Sequence, residues 1–230
     1  MGSDATLLRL GAVAGLAGIV LQVAMDQVHP HQAQPNDSAA AFREYAASGV
    51  WTDVHIGQYL GTLLIVLSLV ALAQSLSRQG SVARAFSRAG LLTAVVAAAV
   101  FTVQMAVDGV ALGSAVRAWV SAPPGPVQTS AFEVAEAIRS LEKGLSGFFH
   151  LSNGLTLLAL GVAVVAGRAY SRWLGWVGIV AGLAFLLGGV VTARTGFSPE
   201  AGVFLTPGLA LLVVFLLGAC VAMWRRAPST

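Results

Sequence analysis

The chain has 230 residues, of which 57% are hydrophobic and only 10% charged, with a formal net charge of +3. A soluble domain carries about 25% charged residues, so water is excluded as the solvent for most of this surface. The basic residues are spread thinly over the loops, which excludes a nucleic-acid-binding patch and reads as membrane topology. The single Cys220 excludes an intrachain disulfide framework and a cysteine-built zinc cluster.

Six apolar stretches, at about 7–28, 55–76, 89–112, 148–166, 173–191 and 203–224, each approach the roughly 20 residues needed to cross a bilayer. They predict an all-α polytopic membrane protein with six transmembrane helices in one integral domain. The first six residues have the form of an N-myristoylation motif, but the first span already anchors the chain. Pro30 closes that span and Pro35 follows in a polar loop. Residues 38–48 then read as a short outer helix stopped by Gly49.

Span two carries His55, Gln58 and Thr62 on one polar stripe. After span three, the turn-rich Pro123-Pro124-Gly125-Pro126 leads to Ser130 and Glu133. Their capping-box spacing predicts a second outer helix, with Phe132, Ala135, Ile138 and Leu141 as its apolar face. Spans five and six are the least polar and read as support for a four-helix core. Arg194, at the end of span five, needs water or a partner such as Asp26, Asp108 or Glu142.

With both termini cytoplasmic, the inner side carries Arg9, Arg78, Arg84, Arg88, Arg168, Arg172, Arg225 and Arg226 against Asp4 alone. That asymmetry predicts a multi-pass protein of the cell membrane with N- and C-termini inside. Trp173, Trp176 and Trp224 fit an inner interfacial belt, and Trp51 and Trp119 an outer one.

Two stretches nearly repeat. Gln22 and Asp26 end span one as Gln104 and Asp108 end span three, each pair spaced i, i+4 on one helix face. His55 with Gln58 opens span two as His150 with Asn153 opens span four. The pattern predicts a tandem duplication of helical hairpins, with repeat 1 at about 7–76, repeat 2 at about 89–167 and a supporting hairpin at about 173–224.

His29 joins this polar set at the outer end of the bundle. Ionisable groups inside spans are functional candidates by default. The leading expectation is an outward-opening Asp/His pocket working by acid–base chemistry on a hydrophobic, lipid-like small molecule from the bilayer. Asp26, His55, Asp108 and His150 would be catalytic, with Gln22, His29, Gln58, Gln104, Asn153 and Arg194 orienting substrate. A second reading places a divalent metal on His55, His150, Asp26 and Asp108, or a haem between His55 and His150. A third treats the polar groups as interhelical hydrogen-bond glue in a structural or partner-binding protein. A proton or substrate relay ranks last, because the inner half of the spans lacks polar groups.

Overall fold

A computed structural model describes residues 2–34 and 36–227, so Met1 of the motif at the N-terminus and Pro35 of the first loop lie outside the described residues. Helix α1 (Gly2–Val28) runs until His29, where the following Pro30 disfavours further helix. The short α2 (Ser38–Ala47) is capped by Asp37, whose carboxylate accepts the Ala40 N–H at 3.1 Å. Helices α3 (Trp51–Leu76) and α4 (Ser81–Ala106) follow, and α4 passes through a π-helical turn (Val107–Leu112) into α5 (Gly113–Ser121).

Helix α6 (Pro126–Ala166) is a single run of 41 residues; α7 (Arg172–Thr195) and α8 (Pro199–Arg226) complete the chain. Six of these runs are long and apolar enough to cross a membrane. Large apolar side chains face outward along them, among them Leu10, Val20, Leu92 and Val203. A surface of that kind, on helices of this length, suits contact with lipid. The chain is an all-α polytopic membrane protein.

The spanning helices close into a ring in chain order. α1 packs on α3, α3 on α4, α4 on α6, α6 on α7, α7 on α8, and α8 returns to α1. The last hairpin therefore does more than brace a four-helix core, since Phe185 of α7 and Leu216 of α8 line the same interior space as Ile19 of α1.

The seam between α6 and α7 is built from glycine. Gly147, Gly154 and Gly161 recur every seven residues and face Gly189, Gly182 and Gly175, which recur likewise. A Cβ on Gly154 would sit 2.8 Å from the Gly182 carbonyl oxygen, and one on Gly182 2.8 Å from that of Gly154. Close backbone approach replaces side-chain packing here, as suits helices that cannot use hydrophobic exclusion in lipid.

Several expectations meet a different outcome in the structure. The second outer helix and span four are one helix: Gly125 at φ 119° and Pro126 start it, not Ser130, and Glu142-Lys143-Gly144 do not interrupt it. A helix of that length spans about 60 Å, twice the bilayer core. Its buried stripe at this end is Ala135, Arg139, Glu142 and Ser146, whereas Leu141 is 55% exposed.

Trp51 and Trp119 form no interfacial belt either, because both are buried beneath α2 with Phe42 and Tyr45. The tandem repeat is not established, since its matched residues occupy unlike surroundings. Asp26 is exposed while Asp108 is buried. Arg194 is exposed and pairs with none of Asp26, Asp108 and Glu142, which leaves water of the two alternatives expected for it.

Candidate functional site

The predicted polar set divides between two places at the end of the bundle that carries α2. The first is a buried cluster beneath α2. Here Gly109 and Gly113 present a bare face to His55 and Trp51, and a Cβ on Gly109 would fall 2.5 Å from the His55 Cβ. The π turn shifts the backbone so that two of its carbonyls accept side-chain donors. Trp51 Nε1 donates to the Asp108 carbonyl at 3.0 Å and Thr52 Oγ1 to that of Gly109 at 2.9 Å. Such turns often mark functional positions in helices.

His55 is held at both nitrogens. Its Nδ1 lies 2.6 Å from the Trp51 carbonyl oxygen and its Nε2 3.0 Å from Asp108 Oδ2. A carbonyl only accepts, so Nδ1 carries a hydrogen. One further proton then sits between Nε2 and Oδ2, as imidazolium with carboxylate or as imidazole with carboxylic acid. Asp108 Oδ1 makes no hydrogen bond among the described residues.

Beside this pair, Arg139 donates to Glu142 Oε2 at 2.5 Å and to the Tyr45 hydroxyl at 3.0 Å, and its guanidinium lies 4.7 Å from the Phe197 ring centre. His29 meets His55 edge-on, with ring centres 5.3 Å apart, and donates from Nδ1 to the Pro30 carbonyl. Burial first, then the neighbouring His55, hold the His29 imidazole below the usual histidine range. Burial pushes the Tyr45 phenol up to about 12, reinforced by Glu142 and Asp108 and opposed by Arg139.

The second place is a cavity of about 270 Å³ on the axis of the ring, lined by all six spanning helices. Gln22, Asp26, Gln58, His150 and Asn153 stand at its polar end, and Leu69, Leu157 and Leu216 are part of its apolar wall. Gln22 is already engaged, its Nε2 donating to the Gln58 carbonyl at 2.7 Å and to Thr62 Oγ1 at 2.6 Å. His150 Nε2 lies 3.3 Å from the Ser146 hydroxyl, while its Nδ1 is buried without a partner among the described residues.

No protein-family model, curated protein or solved structure matches the chain at significance.

The structure therefore joins His55 to Asp108 and His29, and gathers Gln22, Asp26, Gln58, His150 and Asn153 around the cavity. Gln104 belongs to neither; it is buried with its side-chain oxygen unpartnered among the described residues. The two aspartates do not share one desolvated pocket. Among the described residues no group of three or more His, Cys, Asp and Glu side chains is arranged to hold a metal ion. A bis-histidine haem is disfavoured on separate grounds, because both nitrogens of His55 are committed to protein partners.

Arg139, Tyr45 and Trp51 belong to the buried cluster yet do not stand out in the sequence as site residues. The one available signal is spacing: Ala135, Arg139, Glu142 and Ser146 fall at i, i+4, i+7 and i+11, a single helical stripe carrying an Arg–Glu pair.

Proposed function

We propose that this protein is a membrane-embedded enzyme that takes a hydrophobic, lipid-like molecule from the bilayer into the central cavity and acts on it by acid–base chemistry. The observation that carries this reading is the unpartnered Nδ1 of His150, buried at the polar end of a largely apolar cavity. A buried polar atom without a partner is costly and calls for an explanation such as an absent guest. Imidazole is the side chain best placed to exchange protons near neutral pH.

In this reading Ser146, on the Nε2 side, sets which nitrogen of His150 carries hydrogen, and so whether Nδ1 gives or takes a proton. Gln58 and Asn153 orient the guest, and Asp26 stands at the mouth. The His55–Asp108 and Arg139–Glu142 pairs hold the end of the bundle together beneath α2. The arginine asymmetry supports a cell-membrane location with both termini inside and α2 outside.

Placing the full chain in lipid nanodiscs with a total lipid extract in D2O, and following all hydrophobic species by mass spectrometry, tests this. A species that gains deuterium or changes mass with the wild type but not with His150→Gln is expected. Identical spectra for the two proteins would refute the enzyme reading.

One observation favours a second reading, a binding protein without turnover. No carboxylate is bonded to His150 among the described residues, so the ring lacks the orienting acid of many catalytic histidines. In that case His150→Gln would retain the guest and no species would change.

A further inference from the structure

We infer that the cavity selects an amphiphile with an uncharged, hydrogen-bonding head, such as an alcohol or amide, on a chain of medium length. This rests on the reading that the cavity is the binding site, and names the class of molecule it takes.

Three observations converge. First, neither lysine nor arginine lines the cavity, and its one charged wall residue is Asp26, at the rim and exposed. A carboxylate or phosphate head drawn inside would lose its hydration with no cation to replace it, a large penalty for an ion. Second, the open hydrogen-bonding capacity is neutral and two-sided. Gln58 and Asn153 line the cavity, with no hydrogen bond to either carboxamide among the described residues, and so does His150, whose buried Nδ1 has no partner there. Each carboxamide both donates and accepts, and the imidazole does either according to tautomer. An alcohol or amide meets such a set reciprocally, whereas an ammonium only donates. Third, 270 Å³ holds roughly nine water-sized groups at about 30 Å³ each. That is room for a short amphiphile and too little for a two-chain phospholipid.

The test uses three photoreactive probes with the same six-carbon diazirine chain, ending in an alcohol, a carboxylate or an ammonium, each incubated with the full chain in nanodiscs. Crosslinked peptides are mapped by mass spectrometry. The alcohol should label cavity-wall peptides at least about tenfold more than either ion. Asn153→Leu should lower that labelling about three- to tenfold, as expected for one lost hydrogen bond. Ala98→Phe, which fills the cavity from α4, should abolish it.

Equal cavity labelling by the carboxylate or the ammonium would overturn the inference, as would alcohol labelling indifferent to both variants, which would signify simple partitioning at the lipid face. The head-group comparison on the unaltered chain decides the matter even if Ala98→Phe fails to fold. Selective alcohol labelling without turnover would remove the enzyme reading and leave this one standing. Turnover without selectivity would do the reverse.

Discussion

His55 Nε2 and Asp108 Oδ2 share one proton across 3.0 Å, in a site where His55 is 2% and Asp108 6% exposed. Removing one partner of such a pair strands the other away from water. Asp108→Ala should therefore cost about 3–5 kcal/mol of stability. Asp26→Ala, at an exposed position, should stay within about 0.5 kcal/mol. Thermal or denaturant unfolding in detergent would compare them. Equal losses would mean that the two aspartates are equivalent after all.

Two glycines on neighbouring helical stretches should respond in opposite directions to the same change. Gly109→Ala drives a methyl group against His55 and should destabilise by about 1–3 kcal/mol. Gly144 has nothing within 4 Å of an added Cβ and lies inside the continuous α6, so Gly144→Ala should stabilise by about 0.5–1 kcal/mol. A destabilised Gly144→Ala would argue that the helix breaks there.

His29 makes stability depend on pH. Its folded pKa lies below the unfolded value of about 6.5, so between the two values the unfolded chain binds more protons. The contribution of neutral His29 is complete above about pH 6.5 and is lost as pH falls through the folded value. Melting temperatures from pH 8 to pH 5 should decline on the acid side, and His29→Gln should flatten that decline. An unchanged slope would show that other groups carry it.

The glycine seam predicts a steep response to bulk. Gly182→Val places a branched side chain against the Leu158 backbone nitrogen and the Gly154 carbonyl, and should cost about 1–3 kcal/mol or more. The corresponding change at Gly202, with open space around it, should register far less in the same unfolding measurement.

The six spans are legible in the sequence because the bilayer imposes a length, and a run of apolar residues such as 203–224 satisfies it without tertiary information. Gln58, His150 and Asn153 are legible as site candidates because polarity inside a span is expensive wherever it points. Arg139 escapes that logic. It follows a turn-rich stretch and sits among Glu133, Glu136 and Glu142, which reads as a solvated surface helix until α2 is seen folded over it. Trp51 is misread for a related reason: its place at a span end suits an interface, and only the π turn, with its displaced Asp108 carbonyl, draws the indole inward. The partition of Asp26 from Asp108 depends on which helix faces meet, and the matched sequence spacing conceals it.

The glycine seam also fixes where the bundle can yield. Along α6 and α7 the backbones are in contact, and α1 meets α3 similarly closely where a Cβ on Gly18 would lie 2.7 Å from the Gly61 carbonyl oxygen. Those pairs are held backbone to backbone. The α3–α4 seam is bolted at the α2 end by the Trp51, Thr52 and His55 hydrogen bonds to the π turn. At Gly15 three helices meet, because a Cβ there would lie 2.5 Å from both the Cys220 thiol of α8 and the Ser68 hydroxyl of α3, which are 3.7 Å apart. A side chain at Gly15 would thus part α1 from two neighbours at once, and with it disturb the wall that Ile19 and Gln22 give the cavity.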